Sequence, residues 1–211
     1  GTASVPSGAS TGSFEAHELR DGDKKRFFSK GVKNAVKLIN TEIQQTILGF
    51  DATKQKEIDE NLVELDGTQN KKRLGANSIL AVSLACAKAS SNLLNIPLYK
   101  YIGGIHNSLP TPMMNIMNGG CHSSNNLDFQ EFMIIPANFK TFKDSLRAGC
   151  EIFHSLKNIL LRKNYSTSVG DEGGFAPNIS SNKECLNLIM NAIEESNYKP
   201  GEDIFIALDI A

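Results

Sequence analysis

Several short stretches place reactive side chains where a packed chain would otherwise carry neutral ones. Asp209 ends the run Ile204-Phe205-Ile206-Ala207-Leu208, which has the texture of a strand buried on both faces. A carboxylate at the carboxyl end of such a strand suits a metal ion, because ligands bind at that end of a parallel α/β barrel. The N-cap of a following helix is the other role open to it. Asp171 and Glu172 are adjacent acids bracketed by Gly170, Gly173 and Gly174. Glycines let a backbone approach a ligand closely, and an acidic surface turn is the competing reading. Gln130 and Glu131 interrupt an apolar segment, Phe129-Gln130-Glu131-Phe132-Met133. A buried Glu must be paired, metal-bound or protonated. If Phe129 and Glu131 share a face, Gln130 points the other way unless a bulge or strand end intervenes. His122 follows Asn118-Gly119-Gly120-Cys121, an amide-rich loop suited to a phosphate or carboxylate and equally to an ordinary loop histidine. Ser7-Gly8-Ala9-Ser10-Thr11-Gly12 offers hydroxyls and free amides but lacks the lysine of a nucleotide phosphate loop, which argues against an NTPase.

These groups need rigid elements to hold them. The 211 residues are 40% hydrophobic, enough for one large domain or two modest ones. Residues 2–23 are rich in Gly, Ser, Thr and Asp and read as a long loop. Val32, Val36, Ile39, Ile43 and Ile47 then recur at helical spacing as one apolar stripe that Gly49 ends. A second helix is expected with Asp51 as N-cap and Ile58, Leu62 and Leu65 inward, stopping at Asp66-Gly67. Residues 76–94, largely Ala, Ser, Leu, Ile and Val, predict a closely packed central helix. A boundary is expected within residues 105–109. Beyond it, short apolar runs alternate with helical stretches, which predicts an α/β architecture with a largely parallel sheet. Thr141 with Asp144 and Ser181 with Glu184 have capping-box spacing. Leu146, Cys150, Phe153, Leu156 and Leu160 are expected on one face of the helix that follows Thr141.

Charge excludes other classes. Twenty-two basic residues against 23 acidic ones give a net charge of −1, so no field recruits nucleic acid or an anionic membrane. No apolar run approaches the roughly 18 residues of a membrane span. The four cysteines show no zinc or redox spacing and read as free thiols of a reducing cytoplasm. The first residue is not Met and the last run is apolar, so a partial sequence is expected.

The order and wording of the strings add an identification. Residues 7–12 followed by Glu18-Leu19-Arg20-Asp21-Gly22-Asp23, then Gly75-Ala76-Asn77-Ser78, Pro112-Met113-Met114-Asn115, Asn118-Gly119-Gly120, Gln130-Glu131-Phe132-Met133 and Gly170-Asp171-Glu172-Gly173-Gly174 resemble the enolase family over essentially the whole chain. The resemblance implies an α+β amino-terminal capping domain over residues 1–106 and, over residues 107–211, the first part of an enolase-type modified TIM barrel. It implies a Mg2+-dependent lyase converting 2-phospho-D-glycerate to phosphoenolpyruvate. By the same resemblance Asp209 holds one Mg2+ and Ser10 a second, and Glu172 is the general acid with Glu131 its neighbour. Glu131, Gln130 and His122 contact the substrate. The family's base is a lysine, and Lys140, Lys143, Lys157, Lys163, Lys183 and Lys199 match no base motif, so these 211 residues alone are expected to be inactive. A non-catalytic binding or surface-interaction protein is the alternative. A cytoplasmic homodimer or higher homo-oligomer is expected, with a secondary surface presence also compatible.

Overall fold

The computed structural model describes residues 1–8, 10–106 and 108–211. The chain divides into two compact units, Gly1–Asn107 and Ser108–Ala211. In the first, the described residues before Phe27 form neither helix nor strand and are fastened by side chains. Asn77 accepts from the Leu19 amide at 3.0 Å and donates to its carbonyl at 3.2 Å. Asp21 accepts from the amides of Lys33 and Asn34 at 2.9 and 2.8 Å, and those bonds hold its carboxyl below the usual range.

Those amides open α1, Lys33–Leu38, which passes through a π-helical stretch, Ile39–Ile43, into α2, Gln44–Ile47. The wider turn explains the departure from the expected stripe. Ala35, Ile39, Ile43 and Ile47 are four apart, and a turn of more than four residues keeps them on one face. Ala35 and Ile43 are therefore buried, whereas Val32 and Val36 stay substantially exposed.

α3 spans Gln55–Asp66, beginning later than an Asp51 cap requires. Asp51 instead accepts from the amide and hydroxyl of Thr53, a local turn that competes with helix initiation. Ile58 and Leu62 are buried, and Gly67 ends the helix at φ 66° as expected. α4, Ala76–Leu93, packs its small residues against α1 and α3, with Val82 joining Ile43, Ile58, Leu62 and Leu74 in the core. α5, Leu98–Gly103, follows.

In the second unit β1, Met114–Asn118, pairs with β2, Glu131–Pro136, which pairs with β3, Ile204–Asp209. Both pairings are antiparallel, which corrects the expectation of a largely parallel sheet. The cause is the connection. Two helices, α6 (Phe142–Arg162) and α7 (Asn182–Glu195), separate β2 from β3, so the chain runs out and back before re-entering the sheet reversed. A single crossover helix would have restored the parallel direction. Thr141 and Ser181 cap these helices as expected, accepting from the amides of Asp144 and Glu184, both at 3.1 Å.

The buried face of α6 comprises Ala148, Gly149, Ile152, Leu156, Ile159 and Leu160, with Cys150 exposed and Leu146 45% exposed. At about 100° per residue Ile152 and Gly149 lie within about 40° of Leu156 around the helix, whereas Leu146 and Cys150 lie about 80° and 120° away, which corrects the expected face in its first half. Phe132 and Ile134 of β2 join this core together with α7's Leu188, Ile189 and Ile193. Residues directly opposite across an antiparallel pair share a face, and successive residues alternate. Glu131 and Met133 therefore face away from the helices. β3 is not buried on both faces as its composition suggested. As the last strand of the sheet it leaves Phe205 42% and Leu208 38% exposed.

Candidate acid–base site

The far face of the sheet ends in a polar row. Register places Asn118 opposite Glu131, and Glu131 opposite Asp209, so one residue from each strand stands side by side. Gln130 precedes β2; its amide donates to the Asp209 carbonyl at 2.9 Å and its Nε2 to Asp209 Oδ2 at 3.2 Å. The strand end therefore intervenes, and both Gln130 and Glu131 reach the row.

Two loops complete the cluster. The chain leaves β1 through Gly119, where any Cβ would overlap the Phe129 carbonyl and Leu127, and enters a 3-10 turn, Gly120–His122. That turn buries His122 to 2% exposure. The loop carrying Glu172 is sewn to β1: the Asn118 amide donates to the Phe175 carbonyl and the Phe175 amide to that of Ile116, both at 2.9 Å. Phe175 also stacks on Phe153 at 4.3 Å between ring centroids, fixing the loop to α6. The Asp171 amide donates to the His122 carbonyl at 3.0 Å, joining the two loops.

The result is a triad of ionisable groups. His122 Nδ1 lies 3.4 Å from Glu131 Oε1, and His122 Nε2 lies 3.8 Å from Glu172 Oε1. A hydrogen bond shared with Glu172, burial, and the charges of Glu172 and Asp209 push the Glu131 carboxyl up to about 7, against the opposing effect of His122. Two carboxyls this close cannot both ionise cheaply, so the pair holds one proton near neutral pH. Glu131 is the buried member of the pair, its side chain 14% exposed, whereas the Glu172 side chain is 39% exposed at its loop tip.

His122, Glu131 and Glu172 are also a group able to hold a metal ion, their ligand atoms all lying within 4.8 Å of one another. Their chemistry fits acid–base work better than Mg2+, which prefers oxygen donors and ionised carboxylates. Asp209 fits Mg2+ as one ligand of a set. Its oxygens accept one bond each, from Gln130 and from the Ala211 amide at 3.0 Å, which leaves lone pairs on both. Ser10 belongs to the other unit, where it is exposed. A cavity of about 370 Å3 adjoins His122 between Cys121, Asn125, Ser168 and Asp171, but neither Glu131 nor Glu172 lines it. The chemistry therefore belongs to the carboxyl pair. Asn125 was not singled out by sequence reasoning, yet its Nδ2 donates to the carbonyls of Asn118 and Pro177 at 2.8 and 3.0 Å. An amide in a polar loop carries no sequence signal that separates such a staple from a solvated residue.

Comparison with known families gives two matches. The family model described as Enolase, N-terminal domain, matches residues 1–102, and that described as Enolase, C-terminal TIM barrel domain, matches residues 106–211.

Proposed function

Because this chain belongs to the enolase family, we propose that its acid cluster serves the reversible, Mg2+-dependent dehydration of 2-phospho-D-glycerate to phosphoenolpyruvate. The observation that carries this reading is the placement of Glu131 and Glu172 against His122, at 3.4 and 3.8 Å, where the hydrogen bond with Glu172 pushes the Glu131 carboxyl up to about 7. Dehydration removes a proton from C2 and hydroxide from C3. Hydroxide is a poor leaving group, so a neutral carboxylic acid must deliver a proton to it as the C3–oxygen bond breaks. The electron pair of the C2–hydrogen bond becomes the second bond between C2 and C3, and water departs. The exposed Glu172 is the member placed to meet the leaving oxygen. Glu131, buried behind it, holds the proton in reserve and keeps the pair from ionising twice.

Mg2+, when bound, would offset the negative charge that develops beside the substrate carboxylate. Asp209 would hold one such ion together with ligands from outside this row, and Ser10, by the family likeness, would serve a second. Gln130 fixes the Asp209 carboxylate, and His122 fixes the acid pair and closes over the substrate. The family's base is a lysine, and none of the described lysines joins this cluster. The 211-residue chain is accordingly expected to bind without turning over. The family likeness also supports a homodimer or larger homo-oligomer in the cytoplasm. Among the described residues no helix is long and apolar enough to cross a membrane, and the four cysteines are free.

Titration calorimetry of the 211-residue chain tests the reading. Binding of 2-phosphoglycerate is expected only with Mg2+, and Asp209→Asn should weaken it at least tenfold. Wild-type affinity in Asp209→Asn, or binding indifferent to Mg2+, would refute the assignment.

A further inference from the structure

Asn118 is used by nothing described so far except through its backbone, yet its side chain occupies the most constrained position in the site. A β-bulge between Asn115 and Met117 shifts the register of β1. In a regular strand residues three apart point to opposite faces. The inserted residue brings Asn118 onto the same face as Asn115, directly opposite Glu131. Cross-strand partners have Cβ atoms about 5 Å apart, so the Asn118 amide stands next to the Glu131 carboxyl stem.

Its other neighbours are the two glycines that bracket Asp171 and Glu172. A Cβ on Gly170 would lie 2.9 Å from the Asn118 Cβ and 3.1 Å from its Cγ, and a Cβ on Gly174 would overlap Asn118 Oδ1. The Glu172-bearing turn therefore rests on the Asn118 side chain. That side chain is 0% exposed, and neither Nδ2 nor Oδ1 has a hydrogen-bond partner among the described residues. A buried amide left unmet costs stability, and an apolar group of the same shape would not. Retaining the amide here is costly unless the site uses it.

We propose that Asn118 is a positioning residue of the acid pair: wedged beneath the Gly170–Gly174 turn and beside Glu131, it sets where Glu172 stands relative to Glu131. Its importance for catalysis rests on the proposed dehydratase reading; its seating of the turn does not.

Hydrogen exchange by NMR on the ligand-free 211-residue chain separates the two. Asn118→Leu, which keeps the outline and removes only the unmet amide, should hold the turn, whereas in Asn118→Ala, which removes the wedge, the Gly170, Asp171 and Gly173 amides should lose protection at least tenfold. In Asn118→Ala the α6 amides should be unchanged. The 13C carboxyl signals of Glu131 and Glu172, assigned with Glu131→Gln and Glu172→Gln, should move toward those of independent glutamates. Should Asn118→Ala fail to fold, Asn118→Ser, which shortens the same side chain, is read in its place, with the same local loss expected. Unchanged loop protection and carboxyl signals, or a loss spread equally through α6, would overturn the proposal. Failure of the wild-type chain to bind 2-phosphoglycerate with Mg2+ counts against the dehydratase reading alone.

Discussion

Glu131 shows how one carboxyl can weaken a fold in order to be ready for chemistry. Its folded pKa of about 7 stands above the value of roughly 4.3 for an exposed glutamate. The folded state therefore holds this proton more tightly than the unfolded chain does. The associated stability is fully present below about pH 4.3 and is lost as pH rises through about 7. At most the loss is on the order of 4 kcal/mol, taking about 1.4 kcal/mol per pKa unit. Thermal melts at pH 5 and pH 8 are expected to show wild type falling relative to Glu131→Gln, which carries no such proton. Parallel curves for the two proteins would contradict a shared proton. Glu172 has a different expected signature. In a longer chain that also supplies the lysine, Glu172→Gln should lose at least about a hundredfold in kcat while Mg2+ affinity stays within a few-fold. Parallel loss of both would contradict its role as the proton donor.

At the scale of elements, the legible parts of the sequence were those governed by local chemistry. Thr141 and Ser181 declared their helices because a capping box needs only four consecutive residues. Replacing Thr141 by Ala is expected to lower stability by about 1 kcal/mol, and Ser181→Ala likewise, read as a shift of the denaturation midpoint at constant slope. Gly67 was legible for the same reason, since only a left-handed residue ends α3 there. What stayed hidden depended on partners far along the chain. Strand direction in the sheet was set by two helices between β2 and β3 rather than by either strand's composition. The buried face of α6 was misjudged because Leu146 and Cys150 are apolar enough to join a stripe, and only the packing against β2 excludes them. In the site, Glu131, Glu172, Asp209, Gln130 and His122 were legible as isolated oddities whose meaning came from the resemblance. Their convergence was not legible, because it rests on the Asn118–Glu131–Asp209 register and on Phe175 tying its loop to β1. Asn118 illustrates the limit: within Asn118-Gly119-Gly120 it reads as an ordinary loop residue, and its burial follows from a bulge that no spacing announces.

At the scale of the molecule, the sheet sets the physical behaviour of the chain in solution. Among the described strands β3 pairs on one side only, so its other edge presents a row of backbone donors and acceptors. The residues beside that edge are apolar and open: Phe205, Leu208 and Ile210 are 42%, 38% and 60% exposed. The run Ile204-Phe205-Ile206-Ala207-Leu208 carries no charge and no proline, which is the composition that templates edge-to-edge association. Net charge gives little protection, since −1 over 211 residues leaves almost no long-range repulsion. The 211-residue chain is therefore expected to self-associate with rising concentration through β3, and light scattering should detect it before the melting transition. Phe205→Lys is the discriminating variant. Phe205 lies opposite Ile135 on the face away from the helix-packed core, so a lysine there can reach solvent without breaking β2–β3 pairing. It should delay the onset of scattering to several-fold higher concentration while leaving the melting temperature within a few degrees. A lysine at Phe205 that leaves association unchanged would place the contact elsewhere, with the exposed Leu93, Tyr99 and Ile102 of the other unit the next surface to alter.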